Sequence, residues 1–183
     1  RCCRCPMRCS KTSEAIHAPA LGMTPATSTS DIALLRHAVD LAHANRLRGG
    51  RPFGAVIARD GRQLATGVNE THQTCDPSAH AAMQALREAT RARRDASLAG
   101  CSVYASGHPC PMCLAALVMA GAERVFFAFD NRDAAPYGLS SEGTYQRLRL
   151  SLDPPPLPME RLDTGISAAQ LYGDAPWPET PRG

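Results

Sequence analysis

Apolar residues first fall into a regular pattern at Ile32, Leu35, Val39 and Ala42, one face of an amphipathic helix over DIALLRHAVDLAHANRLR. Asp31 is placed to cap its start, and Gly49-Gly50 to end it. The next stretch, PFGAVIARDGRQLATGVN, reads as two strands joined by Asp60-Gly61, a dipeptide that accepts the left-handed backbone a tight hairpin needs. Asp76-Pro77 supplies a cap followed by a proline suited to a first helical turn, so a second helix is expected through SAHAAMQALREATRAR. Cys101 to Ser106 is a short buried strand, Pro111 opens the helix PMCLAALVMAGA, and ERVFFAFD is a further apolar strand.

Strands alternating with helices behind an initial hairpin predict an α/β layered domain with a mostly parallel half and helices over both faces. After residue 150 the pattern lapses. Pro154, Pro155, Pro156 and Pro158 impose an extended path, followed by a short helix candidate, Ser167 to Tyr172, and a proline-rich tail. Residues 1–30 show no helical or strand periodicity and are expected to be a disordered extension, with Met23 the natural start. Residues 31–183 then form a single domain, of which 151–183 is the proline-rich C-terminal segment. A metal knuckle from Cys2, Cys5 and Cys9 with His17 has loose spacing and no apolar shell around it.

The length of 183 residues suits one domain with a real core rather than two. A 44% hydrophobic and 20% charged composition excludes disordered, collagen-like and coiled-coil classes. No run approaches the roughly 18 apolar residues of a membrane helix, so a soluble protein is expected. The net charge of +3 resides in residues 1–22, and the remainder is neutral. Neutrality argues against a dedicated nucleic-acid footprint, and Arg91, Arg93 and Arg94 read as a solvated helix end. Four of the eight cysteines crowd into the first nine residues, which is not how a disulfide-stapled domain distributes them. With no apolar leader core either, a reducing cytoplasm is the expected compartment.

Against that background three residues stand out. Cys110 and Cys113 form a Cys-x-x-Cys pair where a helix should start, and His80 lies near the start of another. A helix N-terminus favours thiolate. One imidazole and two sulfurs would leave the fourth tetrahedral position of a zinc ion to water, the catalytic pattern. A redox dithiol, or plain buried cysteines, remain alternatives at this level, although no thioredoxin-like unit precedes the pair.

The segments PFGAVI, VNETHQTCDPSAHA and PCPMC, in this order and at these distances, resemble the cytidine and deoxycytidylate deaminase superfamily of zinc hydrolases, whose signature is H-x-E followed by P-C-x-x-C. DPSAH, CPMCLAAL and RDAAPYG make the chain most similar to its guanine and related purine deaminases, over residues 31–150. The resemblance implies a three-layer α-β-α fold around a mixed sheet of about five strands. It implies Zn2+ held by His80, Cys110 and Cys113. It also implies Asn69 as hydrogen-bond partner of the substrate ring, Phe53 and Ala55 as its frame, and Asp133 at the purine edge or in proton transfer. The implied ligand is a purine base or nucleoside, and the implied assembly a homodimer.

This chain departs from the family pattern in two places. Ala82 stands where H-x-E has its glutamate, the implied carrier of protons between water, ring nitrogen and leaving amine. A methyl group carries no proton. Since that glutamate is not a metal ligand, fold, zinc and substrate binding are expected to survive in an inactive form, whether Ala82 was introduced or is natural. His108 stands where many members have glutamate, and its expected place is beside the cysteine turn or the substrate. Glu142 sits near the expected substrate mouth, where an exocyclic amine or ribose would lie. Tyr172 and Trp177 make the tail a candidate lid, or else dock against their own domain. Rival readings are a tRNA adenosine deaminase, a cytosine or cytidine deaminase, a non-catalytic zinc and nucleobase binder, and a structural zinc protein with four protein ligands.

Overall fold

A computed structural model describes residues 28–173 and residue 177. The expectations for residues 1–27, including the cysteine knuckle and Met23, lie outside the described residues. In chain order the elements are α1 (Thr29–Leu47), β1 (Gly54–Arg59), β2 (Arg62–Val68), α2 (Thr71–Thr74), α3 (Ala81–Arg93), β3 (Cys101–Gly107), α4 (Pro111–Met119), β4 (Arg124–Phe129), α5 (Asn131–Ala134), α6 (Glu142–Arg147), β5 (Met159–Arg161) and α7 (Ala168–Tyr172). A 3-10 turn, Ala135–Tyr137, follows α5.

The five strands form one mixed sheet in the order β2-β1-β3-β4-β5. β1 is antiparallel to both β2 and β3, whereas β3, β4 and β5 run parallel. Alternation along the strands sorts the core into two faces. Ala55, Ile57, Val103 and Val125 meet Ala85 and Ala89 of α3 and Leu114 and Leu117 of α4. Val56, Ala58, Tyr104 and Phe126 meet Leu35, Ala38, Val39 and Ala42 of α1 and Leu171 and Tyr172 of α7. The result is the three-layer α-β-α arrangement that the resemblance implies.

Several boundaries differ from the pattern-based reading. The cap of α1 is Ser28, three residues before Asp31; the Asp31 carboxylate accepts the Ser28 N–H at 2.8 Å in a reciprocal capping box. The other carboxylate oxygen of Asp31 accepts from the Tyr104 hydroxyl at 2.6 Å, tying α1 to β3. The Asp60-Gly61 turn is as expected, with both residues at positive φ. By contrast, α3 begins at Ala81 rather than near Pro77. The Asp76 carboxylate accepts from the backbone and hydroxyl of Ser78, both at 2.7 Å, and Glu70 N–H donates to Ala79 O. These bonds hold residues 76–80 out of helical geometry. The short strand β5 has no periodic signal and forms by pairing with β4, Met159 opposite Val125.

Two glycines let helices approach the hairpin backbone to backbone. A Cβ on Gly67 of β2 would lie 2.3 Å from the Ala81 carbonyl oxygen and 2.4 Å from the Ala85 nitrogen of α3. On the opposite face, a Cβ on Gly54 of β1 would lie 2.3 Å from the Ala38 carbonyl oxygen of α1. Gly67→Ala must therefore move α3, and is expected to destabilise the fold by about 1–3 kcal/mol or more. Gly143→Ala in α6, where a Cβ meets nothing within 4 Å, is expected to be neutral or slightly stabilising. Urea unfolding midpoints of the two variants test this contrast.

Candidate metal centre and its cavity

The two helices on one face of the sheet begin at the same place. His80 is the N-cap residue of α3, and Cys110 is the N-cap of α4 with Pro111 behind it at the first helical position. Cys113 follows within the first turn of α4. The His80 side chain makes no capping bond to α3, and the N–H groups at the starts of both helices bias the site toward negative charge.

The three donor atoms converge. Cys110 Sγ lies 3.4 Å from His80 Nδ1, Cys113 Sγ lies 3.7 Å from it, and the sulfurs are 3.5 Å apart. A tetrahedron with the usual zinc–sulfur and zinc–nitrogen bond lengths has edges of about 3.5–3.8 Å, so donor set and spacing both fit that ion. The hydrogen bond from Cys113 draws Cys110 down to about 4, with His80 contributing, while that same bond and burial push Cys113 up. Cys75 and Cys101 are also free, but neither joins the cluster.

The centre opens into a cavity of about 1100 Å³. Phe53, Ala55, Asn69, Ala82 and His108 line it together with the three donors. Asn69 Oδ1 accepts from the Thr71 hydroxyl at 2.8 Å, leaving the amide nitrogen as the group this side chain can offer a ligand. Ala82, in the first turn of α3, presents only its methyl group. His108 donates from Nδ1 to Pro109 O at 2.9 Å, and burial holds its pKa below the ordinary histidine value. It stands outside the donor cluster and is not a fourth ligand.

Three expected site residues do not line the cavity. Asp133 accepts the Asp130 N–H at 2.9 Å as a helix cap and pairs with Arg161 at 2.8 Å, so its carboxylate is committed within the fold. Glu142 is exposed in the first turn of α6. Trp177 is docked, its indole N–H donating to Tyr172 O and its backbone N–H to Tyr137 O. Among the described residues, no Asp or Glu lines the cavity.

Other contributors emerge only from tertiary packing. Asn45, fully buried on α1, donates to the carbonyls of Arg51 and Asn69, both at 2.8 Å, and so fixes the cavity rim. Its signal was a polar residue on the apolar stripe of α1. Ser106 accepts the Gly54 N–H at 3.0 Å. Tyr145 of α6 donates to Pro109 O at 2.8 Å and packs edge-on against His108, bracing the turn that carries the cysteines. Arg51 and Arg147 add positive charge to the lining.

Over residues 28–129 the chain matches the family model described as the cytidine and deoxycytidylate deaminase zinc-binding region. It is 40% identical over 115 residues to guanine deaminase of Bacillus subtilis, covering 62% of this chain and 74% of that protein. The X-ray structure of the Bacillus subtilis guanine deaminase matches with a TM-score of 0.62 at 36% identity, covering 71% of this chain and 83% of that one. A tRNA-specific adenosine deaminase of Aquifex aeolicus is 38% identical over 81 residues, covering 44% of this chain and 54% of that protein. A probable cytosine deaminase of Schizosaccharomyces pombe is 31% identical over 130 residues, covering 71% and 73% respectively.

His80→Ala and Cys110→Ser are each expected to abolish stoichiometric zinc measured by elemental analysis of the purified protein. Tyr145→Phe, which leaves the donors in place but removes their brace, is expected to weaken zinc by about tenfold or more in chelator competition.

Proposed function

The chain belongs to the cytidine and deoxycytidylate deaminase family defined by that zinc-binding region, and from this we propose that it binds zinc and an aminated purine of the guanine type, with its hydrolytic step disabled at Ala82. The observation that carries the reading is a metal-competent His80, Cys110 and Cys113 cluster opening into a cavity with no carboxylate in its described lining. The purine class rests on the likeness to a guanine deaminase over most of the folded chain.

In this reading His80, Cys110 and Cys113 hold the ion. Bound there, zinc supplies the Lewis acidity that makes water a nucleophile near neutral pH. Phe53 and Ala55 frame the base, and Asn69 donates its amide to a ring acceptor. Hydrolysis of an amino group also needs a side chain that takes a proton from water and returns it to the ring and the leaving amine. Ala82 cannot do so, and Asp133 is occupied by Asp130 and Arg161. Loss of a general acid/base costs about a hundred- to ten-thousand-fold in rate.

Ala82→Glu, loaded with zinc, is expected to release ammonia from guanine or guanosine at least about a hundredfold faster than the parent chain. Cytosine, cytidine and adenosine in tRNA complete the panel. Preference for any of these would replace the purine assignment, and silence with all of them would favour a non-catalytic binding protein.

Assembly as a homodimer is part of the proposal. Leu148 and Leu150, which follow α6 and line the cavity, are 57% and 49% exposed, and Met119 at the far end of α4 is 88% exposed, apolar surface that a second copy would cover. Light scattering is expected to give twice the chain mass, and Met119→Glu to shift it toward one. Among the described residues no helix is long and apolar enough to cross a membrane. Free thiols at the centre suit the reducing cytoplasm.

A further inference from the structure

We infer that Arg87 of α3 is a positioning residue for His80, acting through a belt of polar side chains that holds the turn before it; the inference rests on the metal reading above. The imidazole is what needs holding. Among the described residues its ring makes no hydrogen bond apart from its contacts with the two sulfurs. A metal-binding histidine is ordinarily oriented by a carboxylate or carbonyl on its other ring nitrogen. Here that task falls to the backbone of residues 76–80, which lies outside any helix or strand.

Arg87 grips this segment from two turns further along α3, a helix seated on β2 at Gly67 and so a fixed base. Its Nη2 donates to Ser78 Oγ at 2.8 Å and lies 4.0 Å from Asp76 Oδ2. Ser78 donates both its hydroxyl and its N–H to Asp76 Oδ1 at 2.7 Å. The other arm, Nη1, donates to Gln84 Oε1 at 2.7 Å, and the Gln84 amide donates to the Glu70 carboxylate. Glu70 closes the belt, since its own N–H donates to Ala79 O at 2.9 Å. One guanidinium thus ties together the metal-bearing helix, the turn before it, and the residue next to Asn69 on the cavity wall.

Exposure separates this role from a purely structural one. The side chains of Arg87 and Asp76 are 32% and 43% exposed. Pairs that open to water and salt add little to global stability. The fork of fixed donors matters more, because it reaches Ser78 and Gln84 at once, whereas a lysine supplies only a point charge.

Zinc affinity of the full chain, read by chelator competition, tests this, with the absorption of the cobalt-substituted protein as a second readout. Arg87→Met keeps the aliphatic stem and removes the fork. It is expected to weaken zinc about tenfold and to shift the cobalt d–d bands, while leaving the urea midpoint near that of the parent. Arg87→Lys should recover only part of the loss. Arg91→Met, an equal loss of charge at an exposed position one turn further along α3, should change neither readout. Because Arg87 acts through Ser78, adding Ser78→Ala to Arg87→Met should cost little beyond Arg87→Met alone. Unchanged zinc affinity in Arg87→Met, an equal loss in Arg91→Met, or fully additive losses in the double variant would each overturn this inference and leave the metal reading standing. A parent chain that takes up neither zinc nor cobalt overturns both.

Discussion

The contact on which this architecture turns is the approach of α3 to β2 at Gly67, where helix and strand backbones meet with no side chain between them. Ala81, Ala85 and Ala89 continue that seam as small residues, and all three are buried. A helix drawn this close to the sheet has its N-terminus at a fixed height above the strand ends. His80, as the cap, inherits that position. The mirror-image contact of α1 on β1 at Gly54 clamps the hairpin from the other side, so the strand that supplies Ala55 to the cavity is buried on both faces.

Given that frame, the metal-competent cluster follows from where two helices start. An N-cap residue has extended backbone, which lets its side chain turn away from its own helix and toward the partner. His80 and Cys110 both have that conformation, with ψ near 154° and 166°. The first-turn N–H groups then stabilise the anionic sulfurs that a divalent cation requires. The side chain two residues after His80 makes no hydrogen bond, and its methyl group is buried at the edge of the core. A carboxylate and a methyl group there differ in chemistry rather than in architecture.

What could be read from the chain was local. The Asp60-Gly61 hairpin, the proline start of α4 and the alternation in β1 and β3 each arise from conformational preferences of a few adjacent residues. The donor triad was legible because one motif specifies both thiols and a second places the imidazole. Non-local bonds decided the rest. The true start of α3 depends on Glu70 reaching Ala79, and β5 exists only because β4 offers an edge. Asp133 was drawn toward a functional role by the RDAA match, yet Asp130 and Arg161 hold it, and Arg161 is remote in sequence. Asn45 and Tyr145 carried no motif, since their roles exist only once α1 and α6 are packed.

Tyr145 has one further implication. Its hydroxyl binds the carbonyl just before Cys110, while its helix forms a cavity wall through Thr144 and Arg147. Wall and cysteine turn are therefore joined by a direct hydrogen bond. That bond makes one side chain a structural element shared by the metal-competent turn and the cavity, and thermodynamic linkage requires whatever coupling it carries to be equal in both directions.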